Sequence, residues 1–174
     1  MGQYWKVVNL DKHEYIMPHK LGSGLKLWEQ LANSPGTGEA LIVLCAAMPE
    51  ARGGGDFDLD ANWHGPERKD MSREGPIVPE YQEIARRTIG RWAGDRIALV
   101  GDYAENKDLK PRHKASTIYG LCMDAQEAKA YGLPDGVTEA DLYVDVSDDV
   151  AAVIEHELHG KYTGNGWRDW NAGK

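Results

Sequence analysis

Residues 3–17 read QYWKVVNLDKHEYIM, and this stretch decides the fold class. Two runs rich in Val, Tyr and Ile flank Asn9-Leu10-Asp11-Lys12, a polar turn of the kind that closes a β-hairpin. Strands that arrive as hairpins, not as regular βαβ units, predict an α+β domain with a mostly antiparallel sheet and two to four helices. With 174 residues, residues 1–174 read as one domain. A chain of this length buries about 70% of the surface its unfolded form exposes, without disulfides or a structural metal.

Outward from the hairpin, Leu25, Leu27, Trp28 and Leu31 have helical spacing and stop at the breaker cluster Asn33-Ser34-Pro35-Gly36. GEALIVLCAAM, residues 38–48, reads as a buried helix, with a strand as the alternative. Residues 49–79 are polar and rich in Gly and Pro, a long loop. From Pro79 a helix places Tyr81, Ile84, Ala85, Thr88 and Ile89 on one face and closes at Gly94-Asp95. RIALVGDY, residues 96–103, reads as a central strand, and STIYGLCM, residues 116–123, as another. Residues 124–140 read as an acidic connection, and DLYVDV, residues 141–146, as a further strand. The segment 150–162 fits a helix capped by Ser147 and stopped at Gly160. It also fits a second hairpin echoing the first, with Tyr162 standing where Tyr15 does, and the hairpin is preferred. Residues 163–174 form a tail.

The net charge is −8, from 20 Lys and Arg against 28 Asp and Glu. No Lys or Arg lies between Lys129 and Lys161, where Asp135, Glu139, Asp141, Asp145, Asp148, Asp149, Glu155 and Glu157 fall, so the whole excess belongs to one segment. Such a surface repels nucleic acid and attracts a basic protein partner, or imitates a phosphate backbone; the alternative is a solvated face that aids solubility. Cys45 and Cys122 sit in apolar surroundings and read as reduced thiols, which places the protein in the cytoplasm. No apolar run is long enough to span a membrane, and the opening lacks the layout of a signal peptide.

Few patterns carry chemistry. Asp56, Asp58 and Asp60 at alternate positions, with Glu67 at the twelfth, imitate a calcium loop, but Ala61 stands where the sharp turn needs Gly. Gly65-Pro66 opposes the exit helix as well. His156 and His159 are three apart, not the four of a zinc-protease helix. Gly22-Ser23-Gly24 between Lys20 and Lys26 would cradle an anion, or simply turn the chain. No GxSxG motif occurs, neither cysteine has a basic sequence neighbour, and no cofactor is implied. Six Trp stand against the single Phe57, and Trp167 and Trp170 in the Gly-rich tail are residue types that dominate binding hot spots.

MGQYWKVVNLDKHEY, PHKLGSGLKLWE and RWAGDRIALVGDYAE resemble blocks of a family of small proteins from bacteria, phages and fungi, in which they read approximately MGQYYK-VNLDKKEY, G-GLKL and W-GDRI-GDYA. The resemblance covers the first ~30 residues and the middle ~14, and the family carries no established activity, substrate or cofactor. Residues 50–80 are similar to an actinobacterial or phage version. The blocks direct attention to Gly94-Asp95-Arg96 and Gly101-Asp102-Tyr103, glycines at both ends of a presumed strand. Asp95, Arg96, Asp102 and Tyr103 would then line one pocket with Trp92 and with His19-Lys20; the alternative is that Asp95 and Arg96 cap and pair.

Two readings of function follow. The first is a non-enzymatic binding or regulatory protein, phage-encoded, engaging a host macromolecule through residues 135–157, with Asp145, Asp148 and Asp149, and through Trp167 and Trp170. The second is a small-molecule-binding domain or hydrolase-like enzyme built around Trp92, Asp95, Arg96, Asp102 and Tyr103. Calcium binding at 56–67 stands as a third.

Overall fold

The opening hairpin forms where the sequence places it. A computed structural model describes residues 3–21, 27–32, 36–47, 79–110 and 114–161. Strand β1 (Trp5–Asn9) pairs antiparallel with β2 (Glu14–Ile16), Val8 facing Tyr15 and Val7 facing Ile16. β3 (Ile97–Gly101) pairs antiparallel with the other side of β1, Val7 facing Leu99. β4 (Val144–Asp145) joins β2 in parallel, so the four-stranded sheet runs β3-β1-β2-β4 and is mixed. β3, expected at the centre, is an edge; the hairpin itself holds the centre because both of its strands find second partners.

Seven α-helices lie among the described residues, more and shorter than expected: α1 (Pro18–Leu21), α2 (Leu27–Ala32), α3 (Thr37–Cys45), α4 (Pro79–Thr88), α5 (Ala115–Leu121), α6 (Ala125–Tyr131) and α7 (Ser147–Lys161). Three of them correct the sequence reading. STIYGLCM is helix α5, not a strand, because Ala115, Ile118 and Cys122 are buried at helical spacing. The connection 124–140 contains α6, whose Asp124 accepts from the Glu127 N–H at 2.7 Å while Glu127 accepts from the Asp124 N–H, a capping box. The segment 150–162 is helical through Lys161, not a hairpin: Val150, Val153, Ile154 and Glu157 are buried, the i, i+3, i+4, i+7 pattern of one helical face.

The chain divides into two compact units, residues 1–38 with 94–148 and residues 39–93 with 149–174. In the first, Val8, Tyr15 and Val100 from the sheet pack with Ala115, Ile118 and Cys122 and with Tyr143. These are even-numbered positions of β1 and β3, which share one face of the pleated sheet, together with one side of α5. In the second unit the turn after α4 closes the end of α3: the Gly90 and Trp92 N–H groups donate to the Val43 and Leu44 carbonyls at 2.8 and 2.7 Å. Gly90 has φ +72°, and a Cβ there would meet the Ala46 carbonyl oxygen at 2.6 Å. Tyr81, Ala85, Trp92, Val150 and Val153 are buried in this unit.

Candidate functional site

The site grows out of the hairpin turn. Asn9 is fully buried, and its Oδ1 accepts from the Asp11 and Lys12 N–H groups, each at 2.9 Å, which folds the turn back on the end of β1. Its Nδ2 donates to Asp95 Oδ2 at 2.8 Å, and the Lys12 ammonium pairs with the same carboxylate. Asp11 answers from the other side: its Oδ2 accepts from the Arg96 N–H at 2.7 Å and its Oδ1 from Arg96 Nε at 2.8 Å. The Arg96 hydrogen bonds hold the Asp11 carboxyl down at about 2, and the bonds from Lys12 and Asn9 lower Asp95. Turn and strand entrance are thereby clamped by two crossed carboxylates.

The clamp ends at His13, whose φ of 55° is left-handed. The His13 carbonyl accepts from the Val144 N–H at 2.9 Å, and its ring stacks on Tyr143, centroids 4.7 Å apart and 14° from parallel. A cavity of about 450 Å³ opens here, lined by His13, Tyr143, Arg96 and Asp11 and by Lys114, Thr117 and Ile118 of the α5 region. Its volume lies in the range of small-molecule sites. Among the described residues Lys114 makes no ion pair. The wall therefore offers an aromatic stack, one paired guanidinium and one uncommitted ammonium.

Of the residues singled out from sequence, Arg96 alone lines this cavity. Asp95 sits behind it in the clamp. Asp102 and Tyr103 lie beyond the far end of β3, Asp102 about 20 Å from Arg96 at the rise of an extended strand. There Asp102 receives the Tyr4 N–H on Oδ1 at 3.1 Å and gives its own N–H to the Tyr4 carbonyl at 3.0 Å. Tyr103 is exposed and borders a smaller cavity of about 260 Å³ with Trp5, Leu99 and Leu109. His19 tilts against the Tyr4 ring at 5.9 Å. Trp92 is fully buried in the core of the second unit. The expectation of one pocket shared by all of them is corrected by β3, whose length separates its two flanks. Gly22-Ser23-Gly24, Asp56, Asp58, Asp60, Glu67, Trp167, Trp170, the loop 49–79 up to residue 78 and the tail 163–174 lie outside the described residues.

The acidic segment is largely engaged within each unit. Lys20 reaches Asp145 at 2.9 Å and Asp148 at 3.5 Å, and Asp141 accepts from the Thr138 N–H and hydroxyl. Asp149 takes Arg87 at 2.9 and 2.7 Å, and Glu157 accepts from the Tyr81 hydroxyl. Asp148 keeps 85% of its side-chain surface exposed.

Four of the residues lining the cavity, His13, Lys114, Thr117 and Tyr143, escape a sequence reading because they come from three distant segments. The signal that was present is the position of His13, the residue that must turn the chain from Asp11-Lys12 back into β2. Lys6 also escaped. It is buried on the α5 face, its ammonium donating to the Cys122 carbonyl and lying 4.6 Å from the Tyr119 ring and 5.4 Å from the Tyr15 ring. Burial lowers its pKa, and burial pushes the Cys122 thiol up to about 12, so Cys122 is protonated at neutral pH.

No family model matches the chain. No solved structure matches it. The biotin synthases of Haemophilus influenzae strain PittEE and of Pasteurella multocida strain Pm70 are each 29% identical to it over 85 residues, 44% of this chain. The chain spans about a quarter of the length of these curated relatives, 26% and 25%. Among the described residues no cluster of three or more His, Cys, Asp or Glu could hold a metal ion, and no helix is long and apolar enough to cross a membrane.

Proposed function

We propose that this chain is a small-molecule-binding domain whose site is the cavity over the hairpin turn, and that its ligand carries a flat ring with an anionic substituent. The observation that carries the reading is the stacked His13–Tyr143 pair in one cavity of about 450 Å³ with Lys114, which makes no ion pair among the described residues. A flat ring continues the stack, and the ammonium takes the charge. The lining holds Arg96 and Lys114 against the single carboxylate of Asp11, a local cationic excess in a chain of net charge −8. Arg96 is braced by Asp11, so it reaches the ligand as a fixed donor. The stretch of likeness to biotin synthase covers only about a quarter of those proteins and carries no part of this reading.

Ligand-observed NMR with small aromatic carboxylates and phosphates, beside their neutral amides and alcohols, tests it. The anions are expected to bind and the neutral partners to bind at least tenfold more weakly. Lys114→Ala is expected to remove that preference, and His13→Ala to weaken both sets. Equal binding of anions and neutrals, or shifts confined to residues remote from the hairpin turn, overturns the reading.

A second reading rests on the exposed Asp148, with Asp135 and Glu139 also exposed: a macromolecular partner of basic character would meet this segment. Capture of such a partner that survives charge reversal at Asp148 and Asp135 rules it out.

A further inference from the structure

We propose that the cavity of about 260 Å³ beside the far end of β3 is a second binding site of this chain, separate from the one over the hairpin turn, and that it takes a methylated ammonium head. The sheet makes the room. Trp5 stands opposite Gly101 in the β1–β3 register, so the indole has no side chain across from it on the neighbouring strand. The Gln3 side chain takes that space, where a Cβ on Gly101 would collide with it. Past Gly101 the chain stands beside the outer edge of β3: the Ala104 N–H donates to the Gly101 carbonyl at 3.0 Å, and Asn106–Asp108 make a single 3-10 turn. The Ser116 hydroxyl donates to Asn106 Oδ1 at 3.2 Å and ties this turn to α5. Tyr103, Asp108 and Leu109 thereby join Gln3, Trp5 and Leu99 around one cavity.

Charge identifies the ligand. Among the described residues Asp108 is the one charged member of the lining, which holds no Lys, Arg or His. Lys107, the basic residue next to it in the chain, pairs with Glu105. Asp108 Oδ2 accepts from the Glu105 N–H at 2.8 Å, which fixes the carboxylate, and among the described residues its Oδ1 has no partner. Trp5, Tyr103 and two leucines beside that carboxylate suit an ion that is both charged and apolar. Aromatic faces attract positive charge through their quadrupole, and methyl groups cover Leu99 and Leu109 without asking for hydrogen bonds. An unmethylated ammonium holds its water more strongly and gains less from the same wall. An anion would meet Asp108 with no cation to offset it. The volume falls just under the range of drug-sized pockets, so the occupant is a small head. Tyr103 is exposed, which leaves the site open to a head that is free or borne on a lysine side chain. The cavity over the hairpin turn carries Arg96 and Lys114, so the two cavities select ligands of opposite sign.

Titration of the whole chain with choline chloride and with a peptide carrying trimethyllysine, followed by the backbone and indole N–H resonances, tests the site. Shifts at the Trp5 indole and across residues 99–109 are expected. The neutral alcohol in which carbon replaces the choline nitrogen is expected to bind about tenfold more weakly. Asp108→Asn keeps an acceptor for the Glu105 N–H while removing the charge, and is expected to weaken choline by about tenfold and leave the neutral alcohol unchanged. Tyr103→Ala, at an exposed position, is expected to weaken both, and Lys114→Ala, in the other cavity, neither. Tighter binding of the peptide than of choline assigns the head to a protein side chain, and the reverse order to a free small molecule. Equal binding of choline and its neutral counterpart, choline binding unchanged in Asp108→Asn, shifts confined to the hairpin-turn cavity, or no shift with either probe overturns the site.

Discussion

Two Gly-Asp pairs bracket β3, alike on paper and different in work. At the entrance, Gly94 turns the chain with φ +83° and Asp95 takes a side-chain amide and an ammonium, welding the hairpin turn to the strand. At the exit, Gly101 is extended strand and the Asp102 side chain receives one backbone N–H from Tyr4. A repeated dipeptide thus marks the two ends of a strand without marking two halves of a site. The entrance is a clamp beside a cavity; the exit is a strand end.

The comparison can be broken at the entrance first. Asn9→Ala removes three hydrogen bonds from a buried side chain and strands the Asp11 and Lys12 amides, so a loss of about 2–4 kcal/mol is expected in denaturant unfolding. A loss below 1 kcal/mol would mean the clamp is ornamental. The glycines sharpen the contrast next. Gly94→Ala places a Cβ in left-handed backbone with nothing crowding it, so roughly 1–2 kcal/mol of pure backbone strain is expected. Gly101→Ala meets only the Gln3 side chain, which can swing aside, and is expected to melt closer to wild type. Reversal of that order would overturn the assignment of strain. Asp102→Ala loses one exposed hydrogen bond and is expected to cost about 0.5–1 kcal/mol, with Asp102→Asn nearly silent because it keeps an acceptor.

The acid response comes last, since these carboxylates are open to solvent and screened. Asp11 and Asp95 both titrate below their ordinary value in the folded chain. The Asp11 contribution is therefore complete above the ordinary value near 3.8 and is lost as pH falls toward about 2, and that of Asp95 is lost in the same direction. Melting temperature between those limits is expected to fall less steeply in Asp11→Asn than in wild type. Identical acid slopes would separate Asp11 from the effect.

What the sequence made legible was whatever a single segment declares by itself. The hairpin, α3 and α4 follow from alternation, from apolar content and from the Tyr81, Ala85, Thr88 face. The helix α5 was misread because Thr117, Ile118 and Tyr119 are strand-loving residue types, and its burial pattern is set by the sheet it lies on. The α6 helix was missed although Asp124 and Glu127 spell its capping box. Helix α7 lost to a resemblance between two hairpin-like strings, when the spacing of Val150, Val153 and Ile154 already favoured a helix. For the site, Arg96 was visible from its block, but the His13–Tyr143 stack depends on β4 lying parallel to β2. That pairing rests on two residues and leaves no periodic trace.

The same pairing sets a clock on the chain. Glu14 lies opposite Val144, so at a synthesis rate of 5–20 residues per second the fourth strand follows the second by roughly 7–26 s. The hairpin itself closes in microseconds. For the whole of that interval β2 stands as a finished strand with a bare edge and His13 has no ring to stack on, so a stalled or truncated product would carry an adhesive sheet and no cavity.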